Sequence, residues 1–335
     1  MLLVLSQSND LTTDKVLEWF LYYNYNNVLR INEKDFINIK EIHINNYNEV
    51  DFTLFIKNKR ISLSQVNFFW YRRGHLHKKI KLANFSDNET QIQLKLFLDA
   101  EWSICRDFIL NRLHDKNSLG NCFKTKVNKL ENLERAKKSG LKIPNSIVSE
   151  NYRMINKFLS CQACITKPIS EVVNVMEFNR YIDLSTKEVR IEKKPLSNGL
   201  IFPSLLQNNI DKWIELRVFV VYDQIYAMAM FSQNNKKTKS DYRNYDNEKM
   251  NRGVPFILPE KIGNKLFQFM RESGLDTGSF DFIVTNQREY IFLEVNPAGN
   301  IEMLSESCNY YVEKKIAEII LKDTEHGQFI KEDYK

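Results

Sequence analysis

The sequence predicts a mixed α/β (α+β) protein of two or three domains, and three observations predict it. The chain has 335 residues, and domains run about 100–200 residues each. Its first part, up to about Asn121, alternates short apolar runs with stretches of helical period, the pattern of a strand-and-helix layer. Near its end, the apolar runs Ser279–Thr285 and Tyr290–Val295 flank the polar turn Asn286–Glu289, the pattern of an antiparallel hairpin. An apolar fraction of 43% and a charged fraction of 27% suit a packed core and exclude a disordered chain.

In chain order, Leu2–Leu5, Val28–Ile31, Phe52–Ile56 and Val66–Tyr71 read as strands, and Asp14–Tyr23 and Thr90–Leu113 as helices. No Gly-x-Gly-x-x-Gly follows the first strand, so a dinucleotide fold has no support there. Lys126–Ser139 is helical, with Leu130, Leu133 and Ala136 on one face and Gly140 as its stop. A strand at Ser146–Ser149, a short helix over Asn151–Leu159 and an apolar strand at Ala163–Ile169 follow. Glu171–Lys194 reads as one long hairpin, Val172–Tyr181 against Glu188–Lys194, with Leu184-Ser185-Thr186 between. Trp213–Tyr222 and Ile225–Phe231 are strands joined at Asp223-Gln224. Asn234–Arg252 is polar, nearly without aliphatics, and is expected to be a mobile loop. Pro259–Ser273 is a helix ended by Gly274, and Glu302–Leu321 a closing helix. The domain boundaries expected are 1–122, 123–200, 201–325 and a tail, 326–335.

Lys and Arg number 48 against 42 Asp and Glu, a net charge of +6. That mild excess suits a nucleotide or an acidic peptide. No nucleic-acid recognition motif accompanies it, so no nucleic-acid partner is expected. Only 10 Gly and 7 Pro occur, which argues against a Gly-rich phosphate loop. The five cysteines, including the lone Cys161-Gln-Ala-Cys164, lack a second pair or histidines at zinc spacing and read as reduced, mostly buried thiols. His75 and His77 read as surface residues. The short apolar run at Leu2–Leu5 has no positive flank and reads as a strand rather than a signal. No apolar stretch is long enough to span a bilayer, so a cytoplasmic location without a membrane partner is expected.

Chemistry concentrates in Gly278-Ser-Phe-Asp281 and in Tyr290-Ile-Phe-Leu-Glu294-Val-Asn296-Pro297-Ala-Gly299-Asn300. Residues two apart on a strand share a face. Glu294 and Asn296 are therefore expected on one face, with Leu293 and Val295 toward the core and Asp281 alongside on the partner strand. Two carboxylates and an amide oxygen are hard ligands of the kind Mg²⁺ takes, leaving positions for phosphate and water. Lys167 and Arg217 lie within apolar strands, where a charge requires an anionic partner.

These residues resemble the ATP-grasp ligases. Asp281 with Glu294-Val-Asn296-Pro297 resembles the metal-binding end of that fold, and Asn128-Lys129-Leu130 its opening helix and first nucleotide lysine. Lys167 in Ile165-Thr-Lys-Pro168 resembles the second phosphate lysine, and Pro203–Gln207 the hinge strand that reads adenine, here Leu205, Leu206 and Gln207. Glu215-Leu216-Arg217-Val218 matches the acidic-x-Arg pattern, which implies Glu215 toward the ribose and Arg217 toward the phosphates. The match covers roughly residues 125–320. Phe69-Trp70-Tyr71-Arg72-Arg73-Gly74, Asp241-Tyr242-Arg243-Asn244 and Asn296–Asn300 are similar to the graspetide (microviridin-type) synthetases, in the branch found with a SPASM-domain partner.

The resemblance implies an ATP-grasp fold behind an N-terminal pre-ATP-grasp domain, two Mg²⁺ ions, and a homodimer. It implies an enzyme that activates Asp or Glu side chains of a ribosomal precursor peptide as acyl phosphates, using ATP. Ser/Thr hydroxyls or Lys amines of the same peptide then close ester or amide links. The peptide carries a leader and an acidic, hydroxyl-rich core. Arg243 is the expected clamp on the reacting carboxylate, and Arg72 and Arg73 are candidates for binding the acidic peptide. One departure stands: many ATP-grasp proteins carry a Gly-rich flap after the second lysine, whereas no glycine follows Lys167 until Gly199. The long hairpin occupies that place and is expected to cap the nucleotide and respond to the leader. The alternative is an ATP-grasp ligase that joins small molecules or adds an amino acid.

Overall fold

Leu2–Leu5 (β1) is apolar and buried at every position, because a strand without alternation has both faces covered, as in a parallel sheet. That is its setting in the computed structural model, which describes residues 1–47, 50–80, 82, 87–170, 175–177, 180–182, 186–189, 200–231 and 252–322. The chain divides into two units, residues 1–123 with the chain from Tyr311 onward, and Lys124–Tyr310.

In the first unit, β1 is followed by α1 (Leu11–Tyr22), β2 (Val28–Ile31), β3 (Ile37–Ile44), β4 (Val50–Ile56), β5 (Lys59–Ser62), β6 (Phe68–Tyr71), α2 (Asn88–His114) and β7 (Asn117–Leu119). The parallel sheet runs β2-β1-β6-β7, and β3-β4-β5 form an antiparallel meander. Leu3, Leu5 and Phe69 of the one pack with Ile37, Leu54 and Ile56 of the other, and with Ile109 and Leu113 of α2.

The second unit holds α3 (Lys129–Lys138), β8 (Ser146–Asn151), α4 (Tyr152–Cys161), β9 (Cys164–Lys167), β10 (Val175–Glu177), β11 (Arg180–Ile182), β12 (Lys187–Val189) and β13 (Leu200–Asn208). It continues through β14 (Lys212–Val221), β15 (Gln224–Phe231), β16 (Arg252–Phe256), α5 (Glu260–Ser273), β17 (Thr277–Thr285), β18 (Tyr290–Asn296) and α6 (Glu302–Cys308). One antiparallel sheet has the order β12-β9-β13-β8 and the other β16-β15-β14-β17-β18. The five-stranded sheet buries Ile214, Leu216, Val218, Phe280, Phe282, Phe292 and Val295 against Leu133 and Ala136 of α3 and Leu266 and Phe269 of α5. Helix α5 ends on Gly274 at φ 63°, the left-handed cap that glycine adopts without a Cβ penalty.

The structure corrects four expectations. The long hairpin is not one unit: β10 pairs with β11, and β12 pairs with β9. The expected turn around Leu184-Ser185 lies outside the described residues. The closing helix is two helices, broken around Asn309 and Tyr311, both at φ 52°. Its second half, α7 (Val312–Lys322), packs on α1 in the first unit, where Tyr23 donates to Glu318 at 3.0 Å and Lys314 lies 5.4 Å over the Trp19 ring. Arg252, read as loop, opens β16, and the β14–β15 turn sits at Tyr222-Asp223, with Tyr222 at φ 48°.

Cys164 and Cys308 are buried, Cys105 and Cys122 half-buried and Cys161 exposed; all five are free thiols. His75 is exposed and His77 half-buried. Among the described residues, no helix is long and apolar enough to cross a membrane.

Candidate active site

The face of the five-stranded sheet opposite its core gathers most of the predicted catalytic and metal residues, and two β-bulges put two of its charges there. In β18, Phe292 pairs with Phe282 in the core, but Glu294 pairs with Asp281, so Leu293 is an extra residue. Strict alternation from Phe292 would have turned Glu294 into the core. The bulge reverses the parity and sends it to the other face. Leu293 is accordingly not part of the core, contrary to expectation, while Val295 is. In β14 the extra residue is Trp213, because Lys212 pairs with Thr285 and Ile214 with Val284. Lys212 is thereby removed from the Ile214 side, and the Trp213 ring lies 3.2 Å beneath the Arg288 guanidinium.

Arg217, Asp281 and Glu294 are register partners in a row across β14, β17 and β18. Arg217 Nη1 donates to Asp281 Oδ1 at 2.7 Å, with side-chain exposures of 14% and 9%. Little water screens the pair, so it is stronger than a surface ion pair. Glu294 is half-buried and Asn296 exposed. Asn296 pairs with Ser279, and its Oδ1 accepts from the Ala298 N–H at 3.1 Å, which turns the chain into the Pro297–Asn300 loop. Arg217 Nη2 reaches the Asn300 carbonyl at 3.4 Å. Gly299 lies so close that a Cβ there would sit 2.5 Å from Ser279 Cβ and 3.1 Å from Arg217 Nη2. Glycine lets this loop close over the arginine.

Glu215 lies two residues before Arg217 on the same face. Its Oε1 accepts from Lys212 Nζ at 2.6 Å, and both residues are buried. Lys212 beside Glu215 is a neighbour that motif reading did not find, as is Asp10 beside Arg72 and Arg73 in the first unit. The Lys212 signal was a polar residue breaking the alternation at the start of an apolar strand.

On the other sheet, Lys167 ends β9 half-buried, opposite Leu205. Lys129 opens α3 behind its Asn128 cap, and its ammonium donates to the carbonyls of Pro168 at 2.9 Å and Ser170 at 2.8 Å. The two predicted lysines are thus brought to one stretch of chain, the exit of β9. Leu205, Leu206 and Gln207 are buried in β13, which is laddered to β8 on one side and β9 on the other. Ladders on both sides engage the backbone along this segment, and the Gln207 side-chain amide donates to Ser146 Oγ at 2.9 Å. Arg243 lies outside the described residues.

In the first unit, Arg72 and Arg73 follow β6 and share one carboxylate. Asp10, 3% exposed, lies 3.3 Å from Arg72 Nε and 3.9 Å from Arg73 Nε, and accepts from Thr13 Oγ1 at 2.6 Å. Arg72 is itself buried and held inward by this ion pair, while Arg73 is half-buried.

The donor set suits Mg²⁺. Among the described residues no three His, Cys, Asp or Glu side chains gather around one point. The fit is therefore the sparse kind: two adjacent carboxylates with an amide nearby, completed by phosphate and water. Arg217, paired with Asp281, and the Gly299 loop lie beside them. A separate apolar cavity of about 340 Å³, lined by Ile225, Phe256, Leu258, Gly263 and Tyr310, contains none of the predicted site residues.

Comparison with solved structures finds the same architecture over nearly the whole chain. A RiPP-associated ATP-grasp ligase from Chryseobacterium gregarium, in complex with ADP and a leader and core peptide, is 25% identical and aligns with a TM-score of 0.77 over 96% of this chain and 97% of that one. This chain has the ATP-grasp fold. The macrocyclase MdnB from Microcystis aeruginosa is 25% identical to this ATP-grasp chain, with a TM-score of 0.69 over 96% of this chain and 98% of that one. MdnC from the same organism, bound with the precursor peptide MdnA, is 24% identical, with a TM-score of 0.72 over 96% and 99% of the two chains. No protein-family model and no curated protein matches the sequence. The expected fold is the fold observed.

Proposed function

We propose that this ATP-grasp chain is a cytoplasmic, ATP-dependent macrocyclase of a ribosomally made precursor peptide. It joins Asp or Glu side chains to Ser/Thr hydroxyls or Lys amines and releases ADP and phosphate. The likeness to the RiPP-associated ligase over 96% of the chain is the observation that carries the proposal. The reading extends to a peptide with a leader and an acidic, hydroxyl-rich core, to a homodimer, and to the branch that acts with a SPASM-domain protein.

The chemistry has an electrostatic obstacle, because an anionic carboxylate must approach a triphosphate. Mg²⁺ held by Asp281, Glu294 and Asn296 would supply Lewis-acid neutralisation of phosphate charge. Arg217 and the lysines at 129 and 167 hold the phosphates in line. Glu215 orients the ribose, and the Leu205–Gln207 segment borders the adenine. The peptide carboxylate attacks the γ-phosphorus, the bond to the bridging oxygen breaks, and ADP leaves an acyl phosphate on the peptide. A hydroxyl or amine of the same peptide adds to that carbonyl, phosphate leaves, and the nucleophile gives up its proton. Arg243 holds the acyl phosphate, Arg73 engages the acidic peptide through its exposed part while the buried Arg72 keeps Asp10 paired beside it, and exclusion of water keeps the acyl phosphate from hydrolysis.

The test is mass spectrometry of a Thr/Ser- and Asp/Glu-rich peptide encoded beside this protein, incubated with the protein, ATP and Mg²⁺. Loss of one water per link, matched by ADP formed, is expected. A gain in mass by an added amino acid instead would establish the carboxylate–amine ligase reading, and no ATP-dependent change in any such peptide would sink the proposal.

A further inference from the structure

Lys212 has no assigned part in the nucleotide site, yet its placement is specified by the fold. Three residues separate it from Glu215, and on a regular strand an odd spacing puts side chains on opposite faces. The Trp213 bulge cancels that, so the ammonium comes to 2.6 Å from Glu215 Oε1 with both side chains 6% exposed. The register neighbours of Glu215 are Met230 and Ile283, and neither can answer a carboxylate. A buried carboxylate requires an opposite charge or hydrogen bonds. Lys212 supplies one, on the face that carries Arg217 and Asp281.

From this geometry we infer that Lys212 is a positioning residue that fixes the Glu215 carboxylate for the vicinal ribose hydroxyls of the nucleotide. The inference rests on the ATP-binding reading above. A carboxylate presents about four acceptor directions. One strong charge-assisted contact from Lys212 fixes the rotation of the group and leaves acceptor capacity for hydroxyl donors. An unpinned Glu215 would no longer be aimed. A pair that merely fastened the start of β14 would affect stability without changing which nucleotide the protein prefers.

The experiment is calorimetric titration of the full-length protein, without peptide, with Mg²⁺ and either ATP or 2′,3′-dideoxy-ATP. Hydrogen bonds to a charged group predict that wild type prefers ATP by about tenfold or more. Lys212→Met is expected to bring that ratio close to one, and Lys212→Arg to restore part of it. Thermal melts verify folding, and where Lys212→Met does not fold, Lys212→Gln is read in the same way. A wild-type ratio preserved in the neutral variant, or a wild type that binds ATP without discriminating the two nucleotides, overturns the inference alone. Failure of wild type to bind ATP at all overturns the functional reading beneath it.

Discussion

The two faces of the five-stranded sheet are made by the same three neighbouring strands, β14, β17 and β18, and they carry opposite chemistry. One face packs Phe280, Phe282 and Phe292 with Phe269, with the Phe269 and Phe280 ring centroids 5.7 Å apart. The other aligns Arg217, Asp281 and Glu294 across neighbouring strands. Alternation alone would make that division automatic, but the sequence of β18 violates it and a bulge restores it. The lesson is that the aromatic face provides rigidity, so that the charged face need only provide position.

The comparison can be broken most directly by exchanging damage between the faces. Phe282→Ala should lower stability by about 3–5 kcal/mol, seen as an earlier denaturation midpoint, while the folded fraction keeps its turnover. Glu294→Gln should do the reverse, cutting peptide dehydration at least about a hundredfold, as loss of metal stabilisation predicts, with little shift in melting. Equal destabilisation by both variants would show that the faces are not separate in function. Gly299→Ala sharpens the charged side. Its Cβ would collide with Ser279 beside Arg217, and an overpacking penalty of about 1–3 kcal/mol is expected, together with weaker ATP binding by calorimetry. Unaltered ATP affinity would remove that loop from the site. The smallest effect belongs at the sheet margin, where Lys142 pairs with Glu289 on the surface. Lys142→Ala should cost under about 1 kcal/mol in urea unfolding, and a larger loss would mean that the edge contributes to the platform.

Much of this was legible in the residues. The β17–β18 hairpin, the α5 helix with its Gly274 stop, and the Asn128-capped α3 follow from periodicity and capping chemistry. So does the adjacency of Asp281 and Glu294, although the β18 bulge, not an inward-facing Leu293, produces it. What escaped reading is mostly the bulges. In β3, Ile37 and Ile39 alternate regularly, but Lys40 is an extra residue and the pattern resumes out of phase at Ile42 and Ile44, so no strand was predicted there. The same skip hid Lys212. Partner choice escaped for a different reason, because β12 pairs with β9 rather than closing the long hairpin, and such pairing is fixed by tertiary contacts rather than by local propensity. The lock on Arg72 was equally invisible, since Asp10 lies far away in sequence. Strand β16 carries Gly253 and Pro255, which read as loop residues although an edge strand tolerates proline.

Helix α7 completes the first unit from the far end of the chain, through its seat on α1 and the Tyr23–Glu318 contact. On a ribosome, residues 124–310 therefore emerge as an uninterrupted stretch before the last piece of the first unit does. Domains generally fold as units during synthesis, so the five-stranded sheet is expected to mature before the unit that precedes it in sequence is sealed. While α7 is still inside the ribosomal exit tunnel, α1 waits for its partner.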